Sequence, residues 1–98
     1  MYKVVWRYEL NPKFIAQFEA MYGSTGDWVR LFQRSPDFVK TELFQMTEHD
    51  PVYLTIDYWQ SKDAYQEFYQ ANKAEIEKLD QSGNDYTLNE EQIAKLNY

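Results

Sequence analysis

The stretch Tyr53-Leu54-Thr55-Ile56-Asp57-Tyr58-Trp59-Gln60-Ser61 holds the residues of this chain best placed to do chemistry. Its β-formers predict a strand over 52–59, and side chains alternate across a strand. Tyr53, Thr55, Asp57 and Trp59 therefore share one side, and Val52, Leu54, Ile56 and Tyr58 the other. The first set mixes rings with hydrogen-bonding groups, which suits a pocket wall. The second is apolar and suits the side that helices cover. A carboxylate on a pocket wall is costly unless it is paired, hydrogen-bonded or wet. Asp57 is thus either an ordinary partner of Arg7, Arg30, Arg34 or backbone, or a group that handles protons. In a dry pocket its pKa would rise into the range of a general base, for isomerase- or decarboxylase-like chemistry. Trp59, at the strand's end, either seals the core against Tyr65 or stacks on a flat ligand, and the two roles are compatible.

Other chemistries lack their residues. With no cysteine there is no disulfide, zinc-thiolate or thiol chemistry. The single histidine, His49, lies in Glu48-His49-Asp50-Pro51, which reads as a solvated turn rather than a metal site. The three glycines, at 23, 26 and 83, stand at helix ends and form no phosphate-binding loop. Ser24, Ser35, Ser61 and Ser82 stand at caps and breaks rather than in a nucleophile motif. A net charge of −6 argues against nucleic acid and against an anionic membrane surface. Charges interrupt every apolar run of Met1-Tyr2-Lys3-Val4-Val5-Trp6-Arg7-Tyr8, so neither a signal peptide nor a membrane helix is expected there, and a cytoplasmic location is.

The 98 residues make one domain, 1–98, with a modest core. Nine tyrosines and three tryptophans supply much of its apolar surface and suit an interface or a pocket. A strand is predicted over 2–10. Asn11 caps a helix with Pro12 at its first position, Phe14, Ile15, Phe18, Met21 and Tyr22 form its apolar face, and Gly23 ends it. Asp27 caps a short helix that buries Trp28, Leu31 and Phe32. A strand over 38–46 should pair with 52–59 as a hairpin. Ser61 caps a long helix with Tyr65, Phe68, Asn72, Ile76 and Leu79 on one face. Ser82-Gly83-Asn84-Asp85 ends it, and a helical turn near 89–93 and a short strand over 93–98 close the chain. This order is the ferredoxin-like βαββαβ pattern of the α+β class, with helices on one face of an antiparallel sheet. The other face needs cover, and the sheet of a second subunit is the simplest source, which predicts a homodimer through sheet faces.

Thr55-Ile56-Asp57-Tyr58-Trp59-Gln60-Ser61-Lys62-Asp63-Ala64-Tyr65 resembles the hallmark of the antibiotic biosynthesis monooxygenase-like superfamily, a strand ending in Trp-x-Ser before a helix opening with Ala-Tyr. Tyr22-Gly23, Gly26-Asp27-Trp28, Leu31-Phe32, Thr41-Glu42-Leu43, Leu79-Asp80 and Thr87-Leu88-Asn89-Glu90-Glu91 extend the likeness to an uncharacterised branch over nearly the whole chain. The resemblance implies a dimeric α/β barrel with a ligand inside each protomer. In quinone-forming members, it implies cofactor-independent oxygenation of a phenol by an Asn, a Trp four residues later, a Tyr opening the helix and a later Arg. Trp59 and Tyr65 match. Thr55 replaces the Asn, and Leu79, beside Lys78, replaces the Arg. Arg7, Arg30 or Lys78 would have to supply the missing cation. The haem-degrading branch does not fit: the first strand lacks its Asn, Phe68 stands for its Trp, and the helix has no axial His.

The reading is therefore a cofactor-free monooxygenase-like protein acting on a small aromatic or polyketide-type compound. Trp59 and Tyr65 are its catalytic candidates, and Thr55, Asp57, Tyr53, Trp28, Phe32 and Arg7 its substrate contacts; no metal is expected. The alternative is a non-catalytic ligand-binding or structural dimer of the same fold.

Overall fold

In a computed structural model that describes residues 1–46 and 51–97, four strands and four α-helices form two layers. The strands are β1 (Tyr2–Leu10), β2 (Phe38–Gln45), β3 (Val52–Trp59) and β4 (Thr87–Asn97). The helices are α1 (Ile15–Tyr22), α2 (Asp27–Phe32), α3 (Lys62–Ala71) and α4 (Lys73–Ser82). The sheet order is β2-β3-β1-β4 with every pair antiparallel, which is the ferredoxin-like arrangement of the α+β class. The turn residues Glu48, His49 and Asp50 lie outside the described residues.

Local signals explain the helix starts. Asn11 Oδ1 accepts from the Lys13 N–H and opens a short 3-10 turn, Pro12–Phe14, ahead of α1. Ser61 Oγ accepts from the Ala64 N–H at 3.1 Å and opens α3. The cap of α2 is Gly26 rather than Asp27, which sits in the first turn and pairs with Arg30 at 2.8 Å. A Cβ on Gly26 would lie 2.3 Å from the Met21 carbonyl oxygen, so this close return of the chain onto α1 requires glycine. The expected long second helix is two helices. Asn72, at φ −118° and ψ 27°, breaks it, and its side chain donates to the Phe68 carbonyl.

The C-terminal segment corrects the sequence reading. Residues 89–93 form no helical turn; they belong to the 11-residue strand β4. Without β4, one edge of β1 would lose its backbone partners, and the ladder Tyr2↔Asn97 to Leu10↔Thr87 outweighs the local preference of Asn89-Glu90-Glu91. Two register shifts, opposite Val5/Trp6 and Glu9/Leu10, accommodate it.

The helices cover the side of β3 opposite to the one expected. Tyr53, Thr55, Asp57 and Trp59 are buried under the helices, while Val52, Leu54, Ile56 and Tyr58 lie half-buried on the open side. Trp59 is fully buried, with ring centroids 5.2–5.4 Å from Phe38, Phe68 and Phe32. The physical reason is ring area. The gap between sheet and helices is filled by aromatic side chains, whose buried surface outweighs their polar tips.

Two clusters form the core. One gathers Tyr2, Val4, Leu31, Phe32, Trp59, Tyr65 and Phe68. The other gathers Tyr8, Leu10, Phe18, Met21, Tyr22 and Tyr53. Trp6, Trp28 and Leu79 pack against both. The seam between the clusters is where the site lies.

Candidate functional site

A cavity of about 140 Å³ opens along that seam, between the sheet and the helical layer. All four strands contribute: Trp6 and Tyr8 from β1, Thr41 from β2, Thr55 and Asp57 from β3, and Glu90 from β4. The helices close it with Tyr22 from α1, Trp28 and Phe32 from α2, Tyr69 from α3, and Ile76 and Asp80 from α4. The walls are mainly aromatic, with a few convergent polar groups, as small-molecule sites usually are.

Asp57 is the buried carboxylate of the cavity. It is 6% exposed and stands directly across from Thr41 in the β2–β3 ladder. Thr41 Oγ1 donates to its Oδ1 at 2.6 Å. Burial raises the carboxyl from 3.8 to about 6, and the Thr41 bond opposes the rise only in part. No arginine reaches it. Arg7 pairs with Glu9, Arg30 with Asp27 and Arg34 with Glu75, so of the alternatives for Asp57 an arginine partner drops out, and its partner is a neutral hydroxyl donor.

The tyrosines beside it keep their protons. Burial pushes the hydroxyls of Tyr8 and Tyr69 well up, and the negative charge of Asp57 adds to both; Thr55, which donates to Tyr8 Oη at 3.4 Å, opposes the rise at Tyr8. Burial raises Tyr22 too, opposed by the indole of Trp28, whose Nε1–H nevertheless makes no hydrogen bond of good geometry. Glu90 is raised by partial burial and by Asp80. Asp80 and Glu90 are exposed and mark the open side of the cavity, while Asp57 lies deep.

Of the residues singled out from sequence, Thr55, Asp57, Trp28 and Phe32 line the cavity together. Trp59 and Tyr65 do not; they pack in the adjoining cluster with Phe32, their rings 5.9 Å apart. Tyr53 is buried in the other cluster and its hydroxyl donates to Glu19 at 2.7 Å. Arg7 lies on the open face of the sheet, opposite Leu54, away from the cavity. Lys78 and Arg30 line a separate shallow groove between α2 and α4. Tyr8, Tyr22, Thr41, Tyr69, Asp80 and Glu90 were not singled out. Tyr69, one helical turn after Tyr65, carried a visible signal; the others depend on strand register and helix docking.

The chain matches no protein-family model and no curated protein sequence. Its fold does match solved structures. A variant of SnoaB, a cofactor-independent oxygenase from Streptomyces nogalater, superposes with a TM-score of 0.75 at 19% identity, over 99% of this chain and 91% of that one. The fold is that of the antibiotic biosynthesis monooxygenase-like proteins. One such monooxygenase aligns with a TM-score of 0.68 at 16% identity, over 100% of this chain and 98% of its own. An uncharacterised NIPSNAP domain protein from Burkholderia xenovorans aligns with a TM-score of 0.72 at 9% identity, over 100% and 94%. The monooxygenase-like fold thus extends to proteins described in other terms, and the chemistry must be argued from the site. No described helix is long and apolar enough to cross a membrane.

Proposed function

We propose that this chain is a cofactor-independent monooxygenase-like enzyme acting on a small, electron-rich hydroxylated aromatic compound, with Asp57 as the base. The observation that carries the reading is the buried Asp57 carboxyl, held by Thr41 alone among the described residues and set in an aromatic cavity. A carboxylate with its pKa near 6 accepts a phenol proton more readily than an exposed one. The deprotonated ring is the better electron donor to dioxygen. One oxygen atom enters the substrate as a carbonyl at a ring CH₂, whose two hydrogens leave with the other atom as water, so no external reductant is needed. Tyr8, Tyr22 and Tyr69 hold their protons and serve as donors to developing oxyanions. Trp59 and Tyr65 act as positioning residues, fixing Phe32 and the floor of the cavity from behind.

Oxygen uptake by the purified protein with a panel of anthrone-type phenols, which carry the ring CH₂ that the step needs, tests this. Asp57→Asn should slow turnover at least ~100-fold. No uptake across the panel, or an unaffected Asp57→Asn variant, sinks the oxygenase reading. It would favour a non-catalytic ligand-binding protein, to which the core placement of Trp59 and Tyr65 already gives some support.

We also propose that the open face of the sheet pairs with a second copy. Phe44, beside half-buried Leu54, and Leu96, opposite Lys3 on the far edge, are 44% and 47% exposed there. Light scattering should give a dimer mass, and Leu54→Lys should give a folded monomer. A monomeric wild type would refute the pairing.

A further inference from the structure

We propose that the cavity selects an organic cation, so that the aromatic ligand carries an amine as well as its hydroxyl. Three carboxylates, Asp57, Asp80 and Glu90, line it, and among the described residues no lysine or arginine does. The three arginines are engaged elsewhere, with Glu9, Asp27 and Glu75. Lys3 and Lys40 lie over the Tyr58 ring on the opposite face of the sheet, and Lys95 over the Tyr65 ring at 5.7 Å. The protein therefore does not neutralise this cavity from within.

The charge arrangement specifies the kind of cation. Among the described residues, no three acidic or histidine side chains converge closely enough to hold a metal ion. The carboxylates are instead spread from the deep end to the mouth, which suits an extended organic ligand. An anionic ligand would meet like charge along its whole length. A neutral one would screen the carboxylates from water without replacing their solvation. An ammonium at the mouth meets Asp80 and Glu90, and the aromatic rings of Tyr22, Trp28 and Tyr69 in the lining add to the attraction for a cation. A ring placed behind that ammonium brings its hydroxyl toward Asp57. Only this last placement rests on the proposed function; the site of the ammonium does not.

Isothermal titration calorimetry at neutral pH and low salt, with three probes of one ring and different charge, tests the proposal. Tyramine should bind at least ~10-fold more tightly than p-ethylphenol, and p-hydroxyphenylpropionate more weakly than either. In the double variant Asp80→Asn/Glu90→Gln, tyramine should lose most of its advantage over p-ethylphenol, with Asp57 and the rings keeping the rest. Equal or tighter binding of p-ethylphenol by the wild type overturns the proposal. So does the absence of binding by all three probes, or a tyramine preference that survives undiminished in the double variant. The oxygenase reading fails separately: no oxygen uptake with the binding ratio intact removes that reading alone, and a lost ratio with uptake intact removes this one alone.

Discussion

Replacing Asp57 by Asn should stabilise the protein at neutral and alkaline pH while disabling its proposed chemistry. Burial carries the carboxyl from 3.8 to about 6 in the folded chain. Below the lower value both folded and unfolded states hold the proton, and the group costs nothing. Between the two values the folded state keeps a proton that the unfolded state has lost, so stability falls as pH rises. Above about 6 both are ionised and the penalty is complete, at about 3 kcal/mol. Asn retains the acceptor for Thr41 but adds a buried amide that needs a partner, which reduces the net gain at pH 8 to about 1–2 kcal/mol. For a domain of this size that is a shift of about 1 M in the urea midpoint. Unfolding of both proteins should be followed at pH 8 and again at pH 5, just above the isoelectric point of about 4.6. By pH 5 the charge penalty should have shrunk by about half while the amide cost stays, so most of the advantage of Asn should be gone. An advantage that does not change between the two pH values, or a variant less stable at pH 8 than at pH 5 relative to wild type, would refute the claim that Asp57 is an uncompensated buried charge.

Two further outcomes follow from the packing. Trp59→Phe should cost about 1–3 kcal/mol in urea unfolding, because it opens space in a fully buried cluster, yet change ligand affinity less than ~3-fold, because the residue does not line the cavity. A larger affinity change at unaltered stability would show that Trp59 touches the ligand directly. Gly26→Ala should lower stability by on the order of 2 kcal/mol, since its Cβ meets the Met21 carbonyl at 2.3 Å, and a thermal midpoint equal to wild type would contradict that close approach.

Much of the fold was legible in the chain. Asn11-Pro12, Ser61 and the alternation of 52–59 are local signals, and here the tertiary structure agrees with them. The misreadings came where a distant partner decided. Residues 89–93 favour a helical turn in isolation, but β1 offers them a full ladder. Asn72 occupies a helical face in the pattern, yet its side chain caps the backbone and breaks the helix. Asp57 was visible as an oddly placed carboxylate, but its partner, Thr41, is set by the β2–β3 register.

The stretch from Tyr53 to Ser61 shows the division most clearly. Its sequence alone determined that one side of a strand would carry Tyr53, Thr55, Asp57 and Trp59 together, because side-chain alternation is a property of the extended backbone. Only the tertiary structure decided that this side faces the helices, that Trp59 fills the core, and that Asp57 and Thr55 reach a cavity shared with Tyr8, Tyr69 and Glu90. Which face is covered depends on where the helices dock, and that is a competition among buried areas summed over the whole chain.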